Sequence, residues 1–180
     1  MNSLPEKTNL VSWNNEMYLK HSAVYAYNHW LIGRITAKRV ELIKKMAEIK
    51  KRDKVIEVGC EAGELLYRLP KSEFSVGLDI SSKALEDAKK KGMKNVSFIQ
   101  CDVTKGLPLK EGIFDVIICA DNLEHVTEPA KVVENIYHLS KQDTRIIFSV
   151  PNETLFLKIK FLLRWLRLSS LILKNIEGKK

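Results

Sequence analysis

The sequence predicts an α/β fold, a doubly wound and mostly parallel sheet, on three observations. Short runs rich in Val, Ile and Phe recur through residues 54–152, stretches with helical signals separate them, and acidic residues gather where the runs end. Strand alternating with helix builds a parallel sheet, because right-handed crossovers lay each new strand beside an earlier one.

The elements follow in order. "KVIEVG" (54–59), "FSVGLDI" (74–80), "NVSFIQCD" (95–102), "FDVIICAD" (114–121) and "TRIIFSVPN" (144–152) read as strands buried on both faces. Between them "GELLYRL" follows the first strand, "SSKALEDAKKKG" carries a Ser cap and a closing Gly, and "EPAKVVENIYHLSK" has Pro129 near its start. Each is a helix by its end signals. Ahead of the first strand, Val40, Ile43, Met46, Ala47 and Ile49 follow helical spacing, with the charges assigned to the other face. The expected organisation is an N-terminal helical lid and lead-in helix (1–53), an α/β core (54–152) and a basic amphipathic segment (153–180).

Composition narrows the class. The chain of 180 residues is 45% hydrophobic, enough for one sizeable core. Its three cysteines, Cys60, Cys101 and Cys119, form no CxxC pair, which argues against a disulfide framework or zinc knuckle and for reduced thiols in a cytoplasmic protein. No secretory signal pattern opens the sequence. The net charge of +8 divides into +6 over 1–54, −3 over 55–150 and +5 over 151–180. No RNA-binding module accompanies the basic flanks, so sequence-specific nucleic-acid binding is not expected.

Ligands of such sheets bind at the carboxyl ends of the strands, beside the first one. There "GCEAGE" is G-x-x-x-G and lacks the dinucleotide fingerprint, and Glu57, Glu61 and Glu64 surround a turn where a pyrophosphate needs bare amides. A cationic ligand suits it better. Asp79, ending the second strand, is placed to accept from two ribose hydroxyls. Asp102, ending the third, is placed to accept from an adenine amine, with Ile80 and Val103 beside the ring. Adenine, ribose and a cationic tail together describe S-adenosylmethionine.

"VIEVGCEAGELL", "VGLDIS", "FIQCDV", "FDVIICADNLEHV" and "IIFSVPN", in this order, resemble the successive motifs of class I S-adenosylmethionine-dependent methyltransferases, whose fold is Rossmann-like. The likeness covers roughly residues 40–152 and is greatest to the small-molecule and quinone branch with Leu-Glu-His after the fourth strand. It implies that Gly59, Cys60 and Gly63 form the turn against the methionine part, with Glu57 orienting its amino group. Asp79 would hold the ribose, Ile80 flank the adenine, Asp102 and the Val103 amide read its edge, and Ala120 and Leu123 line the pocket near the sulfonium. Glu61 departs from the family, many of whose members have glycine there. His125 is the one local candidate for a general base. Asp121, Glu124 and His125 are similar in spacing to a divalent-ion site of some members, but Asp replaces the first Glu, and the expectation is no metal.

The expected activity is methyl transfer to a small or lipid-like acceptor, at oxygen. The rival from another class is a non-catalytic, partner-activating subunit, and a dinucleotide-dependent oxidoreductase is a third. Within "WNNEMYLKHSAVYAYNHW" (13–30), Tyr18, His21, Tyr25 and Trp30 are candidate lid contacts. In 155–173 a helix would gather Lys160, Arg164, Arg167 and Lys174 in a sector of about 80°. It suits a lid, a partner surface or peripheral membrane contact. Nothing after Pro151 reads as the antiparallel hairpin that completes this family's sheet. A partner chain or a missing C-terminal segment is expected to cover the fifth-strand edge.

Overall fold

The computed structural model describes residues 10–21 and 32–150. Helices α1 (Leu10–His21) and α2 (Ile32–Ala47) precede β1 (Lys54–Val58). Then follow α3 (Glu64–Arg68), β2 (Phe74–Asp79), α4 (Ser82–Lys90), β3 (Val96–Gln100), β4 (Val116–Ala120), a single 3₁₀ turn (Leu123–His125), α5 (Pro129–Leu139) and β5 (Arg145–Ser149). The five strands lie in the order β3-β2-β1-β4-β5 with every pairing parallel. β1 is central, and the order reverses there. Each sequence-predicted strand is present, one or more residues shorter than its apolar run. The segment read as basic and amphipathic, and the place of a sixth strand, lie outside the described residues, as do Tyr25 and Trp30.

Period-two alternation sorts the strands between two apolar layers. Val55, Val116, Ile118 and Ile147 face Val40, Ile43 and Ala47 of α2 with Leu65, Leu66 and Leu85. Ile56, Val58, Val76, Leu78 and Ile117 face Val132, Ile136 and Leu139 of α5. Both faces of the sheet are covered, so its central strands read as unbroken apolar runs.

Local chemistry sets the helix ends. Ser81 Oγ accepts from the Ala84 amide and caps α4, and Gly92 after its end takes φ 60°. Pro129 opens α5, where its missing N–H costs nothing.

Two expectations for the lead-in helix are corrected. Met46 is 60% exposed, because it lies about 60° round the helix from Ile43, outside the stripe made by Val40, Ile43 and Ala47. Arg39, assigned to the solvated face, is turned inward at the flank of that stripe, four residues before Ile43, and its Nε is buried.

Candidate functional site

The turn after β1 is built from backbone that glycine favours. Gly59, Glu61 and Gly63 have φ of 78°, 46° and 68°. The amides of Gly59 and Cys60 both donate to the Leu78 carbonyl oxygen at 2.8 Å, and Gly63 N donates to Cys60 O at 2.7 Å. Space is also short: a Cβ on Gly59 would overlap the Asn122 carboxamide, and one on Gly63 would stand 3.1 Å from Phe98. Gly63 thus serves the packing of the turn. Glu61, the one residue here that is not glycine at positive φ, explains the glycine many family members carry at its position.

Asp79 ties this turn to the end of β2. Its Oδ2 accepts from the Glu61 amide and its Oδ1 from the Ser81 amide, both at 2.8 Å. The Ile80 amide also donates to this carboxylate. Burial raises the Asp79 pKa, against the lowering effect of these amides. Asp102 is held by its own loop: Oδ1 accepts from Thr104 N and Oγ1, and Oδ2 lies 3.3 Å from Lys105 Nζ. Burial would raise its pKa, but the Thr104 bonds and Lys105 outweigh that and the net shift is downward.

Two cavities open at the carboxyl ends of the strands. One, of about 100 Å³, is lined by Asp79, Ile80, Asp102, Val103 and Asn122, with Trp13 of α1 at its edge. The second, of about 250 Å³, is lined by Arg39, Glu57, Cys60, Glu61, Ala120 and Asp121. Gly59 and His125 border both. Together they reach the low end of the range for small-ligand sites, ~300–1,000 Å³.

In the second cavity, Glu57 is only 3% exposed and its Oε2 has no hydrogen-bond partner. Burial, then the charges of Asp79 and Glu61, push its pKa well above the usual carboxylate range. Arg39 pairs with Asp121, yet its buried Nε also has no partner. Glu57 also accepts from the Leu66 backbone, so one carboxyl oxygen of Glu57 and the Nε of Arg39 are the unpartnered atoms on this wall, and they suit an amino acid's ammonium and carboxylate. Sequence reading missed Arg39; its spacing from Ile43 was the available signal.

The remaining expected residues are placed as follows. Leu123 packs with the apolar layer under α5 and lines neither cavity. The His125 imidazole is 73% exposed at the rim of both cavities, 4.0 Å from Glu124. Asp121 turns to Arg39, so Asp121, Glu124 and His125 do not converge, and no metal-holding cluster occurs among the described residues. Tyr18 is buried and donates to Asp87 Oδ2 at 2.7 Å, which packs α1 onto α4. Asn15 strengthens that contact, its Oδ1 accepting from Ser81 Oγ at 2.8 Å. Cys60 and Cys119 are buried and Cys101 half-buried, all unbridged, and burial lifts the Cys101 and Cys119 thiols to about 11 and about 12. Among the described residues no helix is long and apolar enough to cross a membrane.

A parallel sheet whose strand order reverses at β1, with acid-lined cavities at that point, defines a Rossmann-like fold. Residues 49–175 match the model of a family described as a methyltransferase domain, and the chain belongs to that family. It is 31% identical over 125 residues to a ubiquinone biosynthesis O-methyltransferase of Pectobacterium carotovorum, covering 67% of this chain and 52% of that protein. The chain thus spans about half the length of the curated relatives it matches. Among solved structures it is similar to the YcgJ protein of Bacillus subtilis, with 29% identity and a TM-score of 0.56 over 61% of this chain and 48% of that one. A DhpI–SAH complex shares the fold at 19% identity, with a TM-score of 0.61 over 79% of this chain and 70% of that one.

Proposed function

We propose that the chain forms the cofactor-binding part of an S-adenosylmethionine-dependent methyltransferase acting on a small or lipid-like acceptor, at oxygen. The observation that carries this reading is the pair of unsatisfied buried groups, Glu57 Oε2 and Arg39 Nε, across Gly59 from the Asp79 and Asp102 carboxylates. A zwitterionic amino acid fits the first pair and an adenosine fits the second. The donor set therefore fits S-adenosylmethionine, which when bound supplies an electrophilic methyl group on a sulfonium.

The chain's residues then hold and align. Asp79 accepts from the ribose, while Asp102 and the Val103 amide take the adenine edge. Glu57 accepts from the ammonium and Arg39 donates to the carboxylate. Asp79 and Glu61 give the turn an acidic character that favours a cation and disfavours a pyrophosphate, and a bound ammonium favours ionisation of Glu57. His125, exposed at the rim of both cavities, takes the proton of an acceptor hydroxyl at its free imidazole nitrogen. The name of the Pectobacterium relative, a ubiquinone biosynthesis O-methyltransferase, supports an oxygen acceptor.

Isothermal titration tests the reading. S-adenosylhomocysteine binds and NAD does not; Arg39→Ala weakens S-adenosylhomocysteine binding while leaving adenosine affinity unchanged. Binding of NAD alone would overturn it. Turnover with labelled S-adenosylmethionine across substituted phenols then separates an enzyme from a binding subunit.

A further inference from the structure

We propose that a separate cavity, at the edge of the sheet opposite the cofactor site, binds a small anionic amphiphile: an acidic head group on a compact aromatic or aliphatic body. This site goes beyond the cofactor reading and does not depend on it.

The cavity has a volume of about 420 Å³, more than either opening at the carboxyl edge and within the range for small-ligand sites, ~300–1,000 Å³. Part of its wall is apolar. Leu66 is buried in the layer beneath α2, and Leu69, Met93 and Val96 pack against that layer while lining the cavity. An apolar body laid on this wall removes water from it.

The rest of the lining is basic. Lys51, Lys71 and Lys94 come from the loops that lead into β1, β2 and β3, and no acidic residue lines the cavity with them. None of the three forms an ion pair among the described residues, whereas nearby Lys90 and Lys91 pair with Asp87 and Glu64. Three like charges around one hollow leave a positive potential that an anion neutralises. The hydroxyls of Ser72 and Ser75, also in the lining, bond each other at 2.8 Å, which leaves one hydroxyl proton to donate to a head group.

The carboxyl edge is the reverse case. Asp79 and Asp102 line one cavity there, and Glu57 and Glu61 the other. The two edges therefore select opposite charges. Ser75 and Asp79 stand near opposite ends of β2, about 13 Å apart at ~3.3 Å per residue. A ligand at the amino edge is thus out of reach of a methyl group transferred at the carboxyl edge, and it is distinct from the methyl acceptor.

The test is an NMR titration of the intact chain, labelled at its methionine methyls, with 2-naphthoate, with neutral 2-naphthol and with hexaglutamate. Met93 reports on the cavity, and Met46, exposed on α2, reports on non-specific apolar contact. 2-Naphthoate should shift the Met93 signal saturably and leave Met46 in place, and 2-naphthol should bind about tenfold more weakly. Replacing the three lysines together (Lys51→Gln, Lys71→Gln, Lys94→Gln) removes three exposed ion contacts and should weaken 2-naphthoate about tenfold, with S-adenosylhomocysteine affinity unchanged. The comparison of acid with phenol needs no variant, so it decides the matter even if the triple variant fails to fold. Equal affinity for 2-naphthoate and 2-naphthol, equal affinity of wild type and folded variant, or an unmoved Met93 signal overturns the site. Hexaglutamate binding more tightly than 2-naphthoate overturns the small ligand in favour of an acidic protein segment. Failure of wild type to bind S-adenosylhomocysteine strikes the cofactor reading alone.

Discussion

Glycine at position 61 should give a more stable protein than alanine there, which is an unusual outcome beside a binding site. Glu61 has φ 46°, and an L-residue there brings its Cβ toward the following carbonyl at a cost of about 1–2 kcal/mol. Glycine escapes that cost but loses more chain entropy on folding, roughly 0.5–1 kcal/mol. The net gain is about 0.5–1 kcal/mol, or roughly 2–3 °C in melting temperature for a domain of this size. The Glu61 amide that donates to Asp79 survives the change. A second contribution has the same sign: the Glu61 charge helps push up the Glu57 pKa, so its removal eases ionisation of that buried carboxyl. Glu61→Ala separates the two, since it removes the charge and keeps the backbone cost. Urea unfolding of wild type, Glu61→Gly and Glu61→Ala at one pH measures both. Glycine should exceed alanine by about 1 kcal/mol. Equal stability of the two variants would show that the left-handed backbone carries no cost, and the explanation of the family glycine would fail.

Other outcomes are as specific. Asp79→Ala loses the acceptor for the Glu61 and Ser81 amides and, on the proposed reading, the ribose contact, so stability falls by roughly 2 kcal/mol and S-adenosylhomocysteine affinity by roughly 100-fold, read by melting and titration. Glu57 has a folded pKa raised by burial above its ordinary value of 4.5, so its contribution to stability is full below about pH 4.5 and is lost as pH rises toward the raised value. Glu57→Gln removes that loss, and its stability advantage over wild type in urea should grow between pH 4.5 and 8. Gly77→Ala places a Cβ 2.7 Å from Cys60 Sγ and from Phe98 Cδ1, and overpacking of this kind lowers stability by about 1–3 kcal/mol, measurable as an earlier urea midpoint with an unchanged slope.

What could be read in the sequence was what repeats along it. The five β-runs and their alternation with helices were legible because burial on both faces of a parallel sheet demands uninterrupted Val, Ile and Phe. The acids at strand ends were legible because the carboxyl edge of such a sheet is where a ligand lies. Asp79 and Asp102 follow from that position, while the role of Glu57 follows from the resemblance to the family. Arg39 was not, since it sits in a run of charges whose plainest reading is a solvated face, and only the fit of α2 against β1 turns it inward. Leu123, named as a pocket residue, instead enters the apolar layer, because the 3₁₀ turn rotates it under the loop and leaves His125 outside.

The sequence by itself determined the fold class, since it follows from residue type and one-dimensional spacing. Only the tertiary structure decided which charges are left unsatisfied. Glu57, Arg39 and Asn122 come from β1, α2 and the loop after β4, and each buries one polar atom without a partner among the described residues. Glu61 shows the same division. Its identity stood out in the sequence as a missing glycine, and the reason for the glycine is a backbone angle that only the folded turn imposes.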